Sequence, residues 1–412
     1  MAYARFPGAE SPADYRPGGL HPVHLGDVFN NRYKVVHKLG HGASSTTWLV
    51  EDADTGGFAS VKIIAASRRF TELPVLKHLE ATYSATEEGS KHVVRMLDHF
   101  EHEGPNGTHQ CIVQEVLGPS LGSPSLAMYT CSLLPSEMAH RVCGQVALAA
   151  AKRLTLSPAT MGFTCGCTPR HRSPEKDASM SFRIGQLNGP IAPPALPHRP
   201  DYLICGLEYK AHILRVCLQT ANIKLCDFSE SYITSMPVPP PLHSAAIFRP
   251  PEALLGLTPY PTRELDIWAL AVLFHLLFTA QGLFNYEQRA DSLFGGGPPP
   301  LAHDEILADI AVKLGRVEFP DRLWSMWSRR AEFFDDQNAR LVPPRSFFSF
   351  MLQYRMLEDS EERVVFEELL RAMVRPDAAE RIGVERVLES QWYLKYCQPH
   401  MREGAEFYVK DT

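Results

Sequence analysis

The sequence lacks cysteine patterns that mark zinc or disulfide proteins. Its nine cysteines include no CxxC pair. The close couple Cys165 and Cys167 has no second couple or histidine pair at zinc-ligand spacing. We therefore expect reduced, mostly buried thiols, as in the cytoplasm or the nucleus.

Long runs of like charge are also missing. The formal net charge is −6, and no long basic block occurs. We therefore expect no direct nucleic-acid ligand. An acidic balance suits a cationic peptide partner, although an ordinary solvated surface is the simpler explanation.

The N-terminal segment MAYARFPGAESPADYRPGG lacks the apolar core of a signal peptide, so no such leader is expected. One apolar segment, Ile267 to Phe284, approaches the length of a membrane span, but it contains His275 and Gln281 and directly follows Asp266. A helix that is apolar all round is also typical of the centre of a large domain. We expect a buried helix and no membrane contact, with a membrane anchor as the alternative.

The order of apolar patterns predicts an α+β fold with two lobes. Residues 1–30 are rich in Pro and Gly and predict a flexible lead-in. Five strand-like runs with one helix-like segment follow in residues 31–117, and residues 118–398 are mainly helical. This order predicts a small β-rich N-lobe and a larger helical C-lobe. Residues 399–412 are expected to form a C-terminal tail.

Two glycines lie between strand-like runs in LGHGASSTTWLVED. Gly40 and Gly42 would let the backbone approach a phosphate closely. No Gly-Lys-Ser/Thr follows, which excludes a P-loop, and no helix opens at the second glycine, which excludes a Rossmann turn. A simple hairpin turn is the alternative.

Lys62 lies in the apolar run ASVKIIAA, where a buried charge is costly without an anionic partner. Ten residues later, Glu72 opens a helix whose Leu73, Leu76 and Leu79 share one face. A pair between Lys62 and Glu72 would satisfy both charges and hold the ammonium towards phosphate oxygens. A lysine at a strand edge is the alternative.

Charged residues recur in the second half of the chain. The strand pattern in NIKLCDFSESY ends at Asp227, and a carboxylate just past a strand end can bind a Mg²⁺ that bridges phosphates. Glu252 follows in FRPPEALLG, Asp266 precedes the apolar helix, and Arg381 lies in AERIGVERVLESQWY.

Taken in order, these features resemble a eukaryotic protein kinase. The set comprises the glycine turn, the SVKI lysine, the helix glutamate, DFS, PPE, DIWALA and the late arginine. Finer details resemble the SR-protein kinase family, especially its fungal members. LGHGASSTTWL is similar to the LGxGxxSTVWL turn of that family, EVLGPSL to its hinge, and IGQLNGPIAPP with PDYL to the spacer after its catalytic loop.

The resemblance implies a bilobal protein-kinase fold and ATP-dependent phosphorylation of Ser or Thr in proteins. ATP and Mg²⁺ would bind between the lobes, and the substrate would be a protein, with Arg/Ser-rich sequences as candidates. A monomer is expected. The implied ATP-binding residues are Gly40, Gly42, Ser45, Lys62, Glu72, Glu115 and Leu117, and the implied metal ligand is Asp227. The implied structural residues are Glu252, Asp266 and Arg381.

The pattern fails at the catalytic loop. A kinase needs an aspartate that orients the substrate hydroxyl and an asparagine five residues later that binds the second metal. The resemblance places this loop near residues 160–168, which contain neither. HRS at 171–173 has Ser173 in the acid position. HRPD at 198–201 has an extra proline and Gly206 in the metal position, so we do not expect Asp201 to be catalytic. The catalytic residue is therefore unassigned.

The anomalous segment, residues 152–180, has about the expected length but a foreign composition. A reading-frame slip in the coding sequence would produce this, and so would real divergence into a pseudokinase that binds nucleotide or scaffolds partners. Smaller departures accompany it: Ser229 replaces a glycine after Asp227-Phe228, Gln114 replaces an apolar residue at the back of the adenine pocket, and Thr47 replaces a valine over the adenine.

Overall fold

The computed structural model describes residues 9–68, 72–121, 134–152, 162–165, 184–185, 197–206, 211–233, 241–284, 302–335, 337, 346–348, 360–402, 404 and 407. In these residues a β-rich lobe is followed by a helical lobe, which is the predicted α+β order. Residues 166–183, with the HRS sequence, lie outside the described part of the chain.

The small lobe is built on a six-stranded antiparallel sheet with the order β1-β2-β3-β4-β6-β5. Its strands are β1 (Val28–Phe29), β2 (Tyr33–His41), β3 (Ser45–Asp52), β4 (Phe58–Ile64), β5 (Met96–Gly104) and β6 (Gly107–Gln114). Two helices, α1 (Glu72–Ala81) and α2 (Glu88–Lys91), lie between β4 and β5 in the chain.

The larger lobe is mainly helical. Its helices are α3 (Ser136–Ala150), α4 (Ala211–Thr220), α5 (Pro251–Leu254), α6 (Arg263–Thr279), α7 (Ala302–Leu314), α8 (Asp321–Met326), α9 (Ser360–Met373) and α10 (Val384–Leu388), with a π-helix at Tyr393–Cys397. The short strands that follow β6 in the chain are β7 (Gly162–Cys165), β8 (Ile184–Gly185), β9 (Leu203–Ile204) and β10 (Ile223–Cys226). One 3-10 turn, Pro12–Asp14, precedes β1, and further 3-10 turns are Ala246–Phe248, Arg316–Glu318, Arg330–Glu332, Ala378–Glu380 and Gln398–His400.

The apolar segment that resembled a membrane span forms the centre of the larger lobe. Helix α6 is capped by Thr262, whose hydroxyl accepts a hydrogen bond from the N–H of Leu265 at 3.2 Å. It ends at Ala280, which adopts the left-handed conformation with φ 52°. Trp268 and Phe274 are at most 1% exposed. Among the described residues, no helix combines the length and hydropathy needed to cross a bilayer.

Successive side chains of β4 point to opposite faces of the sheet and pack in two different hydrophobic cores. Val61 and Ile63 pack in a core on one face of the sheet, whereas Ile64 packs with α1 and the larger lobe on the other. Lys62 has the same parity as Ile64 and therefore lies on the face turned towards the larger lobe. We call this the inner face, and the opposite one the outer face.

The N-terminal segment differs from the flexible lead-in predicted for residues 1–30. Within residues 9–30, Tyr15, Leu20, Val23 and Phe29 are at most 2% exposed. Val23 and Phe29 belong to the outer-face core. The segment packs because its widely spaced apolar side chains cover a sheet face that would otherwise meet water.

A buried ion pair anchors this segment to β2. The ammonium of Lys38, which is 0% exposed, donates to Oε2 of Glu10, and the hydroxyl of Tyr15 donates to Oε1 of the same carboxylate. Burial lowers the pKa of Lys38, while the charge of Glu10 opposes this effect. The pair thus satisfies a charge inside an apolar region.

Residues 197–206 also lie against the small lobe. Ile204 belongs to the outer-face core. The hydroxyl of Tyr202 accepts a hydrogen bond from the N–H of Leu25 at 2.9 Å, and Nδ2 of Asn106 donates to the carbonyl of His198 at 2.9 Å. Further along the chain, Leu214 of α4 packs in a cluster with Met138 of α3 in the larger lobe.

Burial of the cysteines can be compared with the expectation for the six whose side chains the structure describes. Cys111, Cys143, Cys217 and Cys397 are buried, and Cys205 and Cys226 are half-buried.

Candidate active site

The structure brings Lys62, Glu72 and Asp227 together at the inner face of the sheet. Nζ of Lys62 donates to Oε2 of Glu72 at 2.7 Å and to Oδ1 of Asp227 at 2.7 Å. Lys62 comes from β4, Glu72 from the first turn of α1, and Asp227 from the residue after β10. Three segments that are distant in sequence thus meet at one ammonium group.

The opposite charges in this cluster stabilise one another. Burial alone would lower the pKa of Lys62, but Glu72 and Asp227 outweigh it and raise the pKa, so the ammonium stays charged at neutral pH. Burial raises the pKa of Glu72, and the ammonium of Lys62 opposes that rise. Both oxygens of Glu72 accept hydrogen bonds, Oε2 from Lys62 and Oε1 from the N–H of Phe228 at 3.1 Å, and these bonds favour the carboxylate against the effect of burial.

Asp227 is presented to solvent while the next residue is buried. The Asp227 side chain is 43% exposed, whereas Phe228 is 1% exposed in the main core. Asp227 has φ 62°, a left-handed conformation that aspartate adopts more readily than most residues. Ser229, which replaces a glycine in the resemblance, is not among the residues with positive φ. This departure therefore costs no backbone strain here.

Gly40 lies near the end of β2, where it pairs with Thr47 of β3, and Gly42 lies in the turn that joins the two strands. The N–H of Gly42 donates to the carbonyl of Ser45 at 2.9 Å. A Cβ added at Gly40 would meet no atom within 4 Å, and one at Gly42 would meet only Oγ of Ser45 at 3.8 Å. The turn is therefore open on the side where these Cβ atoms would lie. Thr47 lies opposite Lys62 in the β3–β4 register, so the turn continues from the strand beside the charged cluster.

The segment after β6 is fixed by contacts that the sequence did not reveal. Oε1 of Glu115 accepts from the N–H of Arg95 at 2.9 Å and lies 2.9 Å from Nζ of Lys224. The hydroxyl of Ser60 lies 3.3 Å from the carbonyl oxygen of Glu115. Ser60 could have been found from sequence because it lies two residues before Lys62 and shares its strand face. Leu117 packs against the main core.

The strand β7 occupies part of the segment that was expected to form the catalytic loop. Residues 162–165, predicted to be part of that loop, pair antiparallel with β10, Cys226 opposite Gly162 and Ile223 opposite Cys165. The pairing partner lies some sixty positions away in the chain, so no local pattern could show this strand. The remainder of the predicted loop lies outside the described residues.

Asp201 is not part of the charged cluster. Its carboxylate lies 3.8 Å from Nε2 of His24 in the N-terminal segment, and its side chain is 75% exposed. Gly206 is packed so closely that an added Cβ would lie 3.3 Å from the carbonyl oxygen of Leu39. Both residues therefore belong to the covering of the small lobe.

Glu252 and Arg381 form an ion pair in the larger lobe. The two guanidinium nitrogens donate to Oε1 and Oε2 of Glu252, each at 2.7 Å. The Arg381 side chain is 0% exposed and also lies over Trp268, 5.0 Å from the ring centroid. Asp266 lies in the first turn of α6. The predicted structural role of Asp266 stays a prediction.

Comparison with known proteins identifies the family. No protein-family model matches the chain. A serine/threonine protein kinase of Aspergillus fumigatus is 30% identical over 394 residues, which cover 92% of this chain and 88% of that protein. The chain belongs to the serine/threonine protein kinases.

Other relatives of this kinase include a yeast serine/threonine kinase and an SRSF protein kinase. Serine/threonine-protein kinase SKY1 of Saccharomyces cerevisiae is 36% identical over 156 residues, covering 33% of this chain and 21% of that protein. SRSF protein kinase 3 of Homo sapiens is 42% identical over 116 residues, covering 27% and 20%. The predicted resemblance to SR-protein kinases is thereby confirmed.

A solved structure supports the fold. The crystal structure of a kinase domain matches with a TM-score of 0.56 at 16% identity and covers 90% of this chain and 98% of that one. The bilobal α+β kinase fold predicted from the sequence is confirmed. The named relatives also favour the ATP-dependent serine/threonine kinase over the pseudokinase. ATP and a divalent metal are the cofactors that this family implies.

Proposed function

We propose that this kinase binds Mg²⁺-ATP at the inner face of the small-lobe sheet and transfers the γ-phosphate to Ser or Thr of an Arg/Ser-rich protein. The observation that carries the proposal is the position of the Lys62 ammonium, 2.7 Å from both Glu72 and Asp227. In kinases, the lysine–glutamate pair and the metal-binding aspartate must both be in place for transfer.

The residues present fit the nucleotide and its metal. Lys62 is a cation held by a buried carboxylate, so it can contact phosphate oxygens without being displaced from the site. The Asp227 carboxylate is 43% exposed and offers the oxygen ligands that Mg²⁺ prefers. When bound, Mg²⁺ would neutralise charge on the phosphates.

The remaining predicted site residues would surround the nucleotide. The backbone of Glu115 and Leu117 would meet the adenine, and Gly40, Gly42 and Ser45 would cover the phosphates. The open space beside Gly40, at the end of β2, supports this role, since a bound phosphate can approach its backbone.

The proposed substrate class follows from the SR-kinase resemblance and from charge. An Arg/Ser-rich segment is cationic, and this chain carries a formal net charge of −6. The proposal includes a monomer that acts in the nucleus or the cytoplasm and contacts neither nucleic acid nor membrane directly.

A thermal shift assay with Mg²⁺-ATP, run beside radiolabel transfer to an Arg/Ser-rich peptide, tests the proposal. We expect a shift and transfer for the wild type and the loss of both in Lys62→Ala. Lys34→Ala is the matched control because Lys34 is exposed on strand β2 of the same sheet. The absence of both signals in the wild type would refute the proposal, and a shift without transfer would support the nucleotide-binding module instead.

Sequencing the transcript over codons 150–180 separates the two explanations of the anomalous segment. A different reading frame that supplies an aspartate and, five residues later, an asparagine would explain the missing residues. A transcript that encodes the present residues would exclude the reading-frame explanation.

A further inference from the structure

The last residue of β6, Gln114, presents a buried amide on the inner face of the sheet. It lies opposite Ser60 in the β4–β6 register, as Ile112 lies opposite Lys62. Because side chains two residues apart share a strand face, Gln114 has the same orientation as Ile112, which packs in the main core with α1. Gln114 directly precedes Glu115, so its side chain lies where the inner face meets the segment proposed to contact adenine.

The amide of Gln114 has an unused donor. The residue is 8% exposed, and among the described residues its Nε2 has no hydrogen-bond partner. Buried polar groups are normally hydrogen-bonded, so an unpaired donor beside a cleft indicates an acceptor that is supplied from outside the chain. Since an aliphatic side chain could fill the same space at lower cost, the amide indicates a polar ligand group rather than simple packing.

Ser60 holds the backbone at this position. Its hydroxyl lies 3.3 Å from the carbonyl oxygens of both Gln114 and Glu115. The end of β6 is thus bound to β4 through a side chain as well as through the strand pairing. This contact engages the backbone of Gln114 and leaves its Nε2 available.

The identity of the acceptor follows from the order of groups along the purine. In the proposed function, the backbone of Glu115 and Leu117 meets the adenine, and a backbone segment can pair with the edge of adenine that carries an acceptor, N1, beside a donor, the 6-amino group. N7 is the next polar atom along the same edge, and Gln114 precedes Glu115 in the chain. We propose that Nε2 of Gln114 donates a hydrogen bond to N7 of the bound purine, which makes Gln114 a specificity-determining residue. This inference rests on the proposed nucleotide site.

Replacing N7 by C–H in 7-deaza-ATP removes the acceptor and leaves the rest of the nucleotide unchanged. We would measure the Kd of Mg²⁺-ATP and of Mg²⁺-7-deaza-ATP by calorimetry. A single neutral hydrogen bond predicts that the wild type binds ATP about two- to tenfold more tightly than 7-deaza-ATP. In Gln114→Met, which keeps the shape and removes the donor, the ratio of the two Kd values should fall to about one.

Gln110→Met is the matched control. Gln110 lies four residues before Gln114 on the same strand and the same face, and it is 5% exposed. It lies opposite Glu101 of β5 in the sheet. This variant should retain the wild-type ratio. Gln114→Leu provides a second test if Gln114→Met does not fold.

Equal affinity of the wild type for both nucleotides would overturn the inference, and so would a ratio that survives in Gln114→Met. Either result would leave ATP binding itself intact. A wild type that binds neither nucleotide would instead refute the proposed function, so the two failures are distinguishable.

Discussion

Arg381 and Glu252 are joined by two parallel hydrogen bonds of 2.7 Å, although 129 residues separate them in the chain. Arg381 also donates from Nε to the carbonyl of Arg375 at 2.7 Å. A guanidinium whose side chain is 0% exposed has no access to water that could replace a lost partner. The pair therefore connects the segment around α5 to the C-terminal part of the larger lobe, and water cannot replace either partner if the other is removed.

Replacing Glu252 with leucine should lower the free energy of unfolding by about 3–5 kcal/mol, because Arg381 would be left buried and unpaired. Denaturant unfolding measures this loss. Glu389→Leu breaks the exposed pair between Glu389 and Arg386, and it should cost at most about 1 kcal/mol. Equal losses in the two variants would contradict the structural role of the buried pair.

Glu10→Leu should destabilise the small lobe by a similar amount, about 3–5 kcal/mol, since the ammonium of Lys38 would lose its buried partner. The double variant Glu10→Leu/Lys38→Met should recover most of this stability because no charge remains to be buried. Thermal unfolding with limited proteolysis of the N-terminal segment provides the measurement. A double variant that is as unstable as Glu10→Leu would show that the charge pairing is not the cause.

Asp227→Asn should remove most of the Mg²⁺-dependent part of ATP binding, because a neutral amide is a poorer ligand for a hard cation than a carboxylate. The thermal shift with ATP would be compared in Mg²⁺ and in EDTA. Asp201→Asn is the control, and it should behave as the wild type because Asp201 lies beside His24 and not beside Lys62. If the Mg²⁺-dependent thermal shift were lost in Asp201→Asn and kept in Asp227→Asn, Asp201 rather than Asp227 would be the metal ligand.

The stability of the protein should fall on acidification, in part because of His21. Burial, with the nearby His102 and His109, lowers the pKa of His21 to about 3. The unfolded chain, with a histidine pKa of about 6.5, takes up this proton first, so stability is complete above that pH and is lost as the pH falls below it. The loss from His21 between pH 7.5 and 5.5 is about 1.4 kcal/mol.

His21→Phe isolates this contribution. Urea unfolding of the variant should show a pH-dependent loss that is smaller than that of the wild type by about 1.4 kcal/mol over the same interval. His92 and His275, whose pKa values burial lowers to about 4, remain in both proteins and do not affect the difference. An identical pH dependence in both proteins would contradict the buried, neutral state of His21.

The parts of the fold that were predicted from sequence are those with local signals. The alternating apolar runs predicted β2 to β6, and the continuous apolar run predicted α6. Both predictions were possible because the hydrophobic period and the length of a run are visible within one segment. Residues 384–397, which lie in the part predicted to be mainly helical, form α10 and a π-helix rather than one continuous helix. Helix α4 was not predicted, since its flanking residues mark no clear start or end.

The packing of residues 9–29 and 197–206 could not be predicted for a different reason. Both segments are rich in proline and glycine or lack a regular hydrophobic period. They are held in place by packing against the outer face of the small-lobe sheet, which is distant in sequence. The same holds for β7, which is a strand only because β10 pairs with it.

In the candidate site, too, the residues that lie in local motifs could be predicted and the contacts that depend on distant segments could not. Lys62, Glu72 and Asp227 were selected from short motifs, and the structure places their charged groups in contact. The contacts of Ser60 and Lys224 with Glu115 depend on strand register and on the position of β10, neither of which is visible in a motif.

Among the described residues, β6 and Ile204 lie on the small lobe, whereas Met138 of α3 and Leu214 of α4 lie on the larger one. In chain order these residues alternate between the lobes, so the polypeptide passes from one lobe to the other at least three times between them. A hinge spanned by a single connection can bend freely, whereas one flanked by two further passages resists both bending and twisting. This kinase should therefore open its cleft over a narrow angular range, and its two halves should melt as a single cooperative unit.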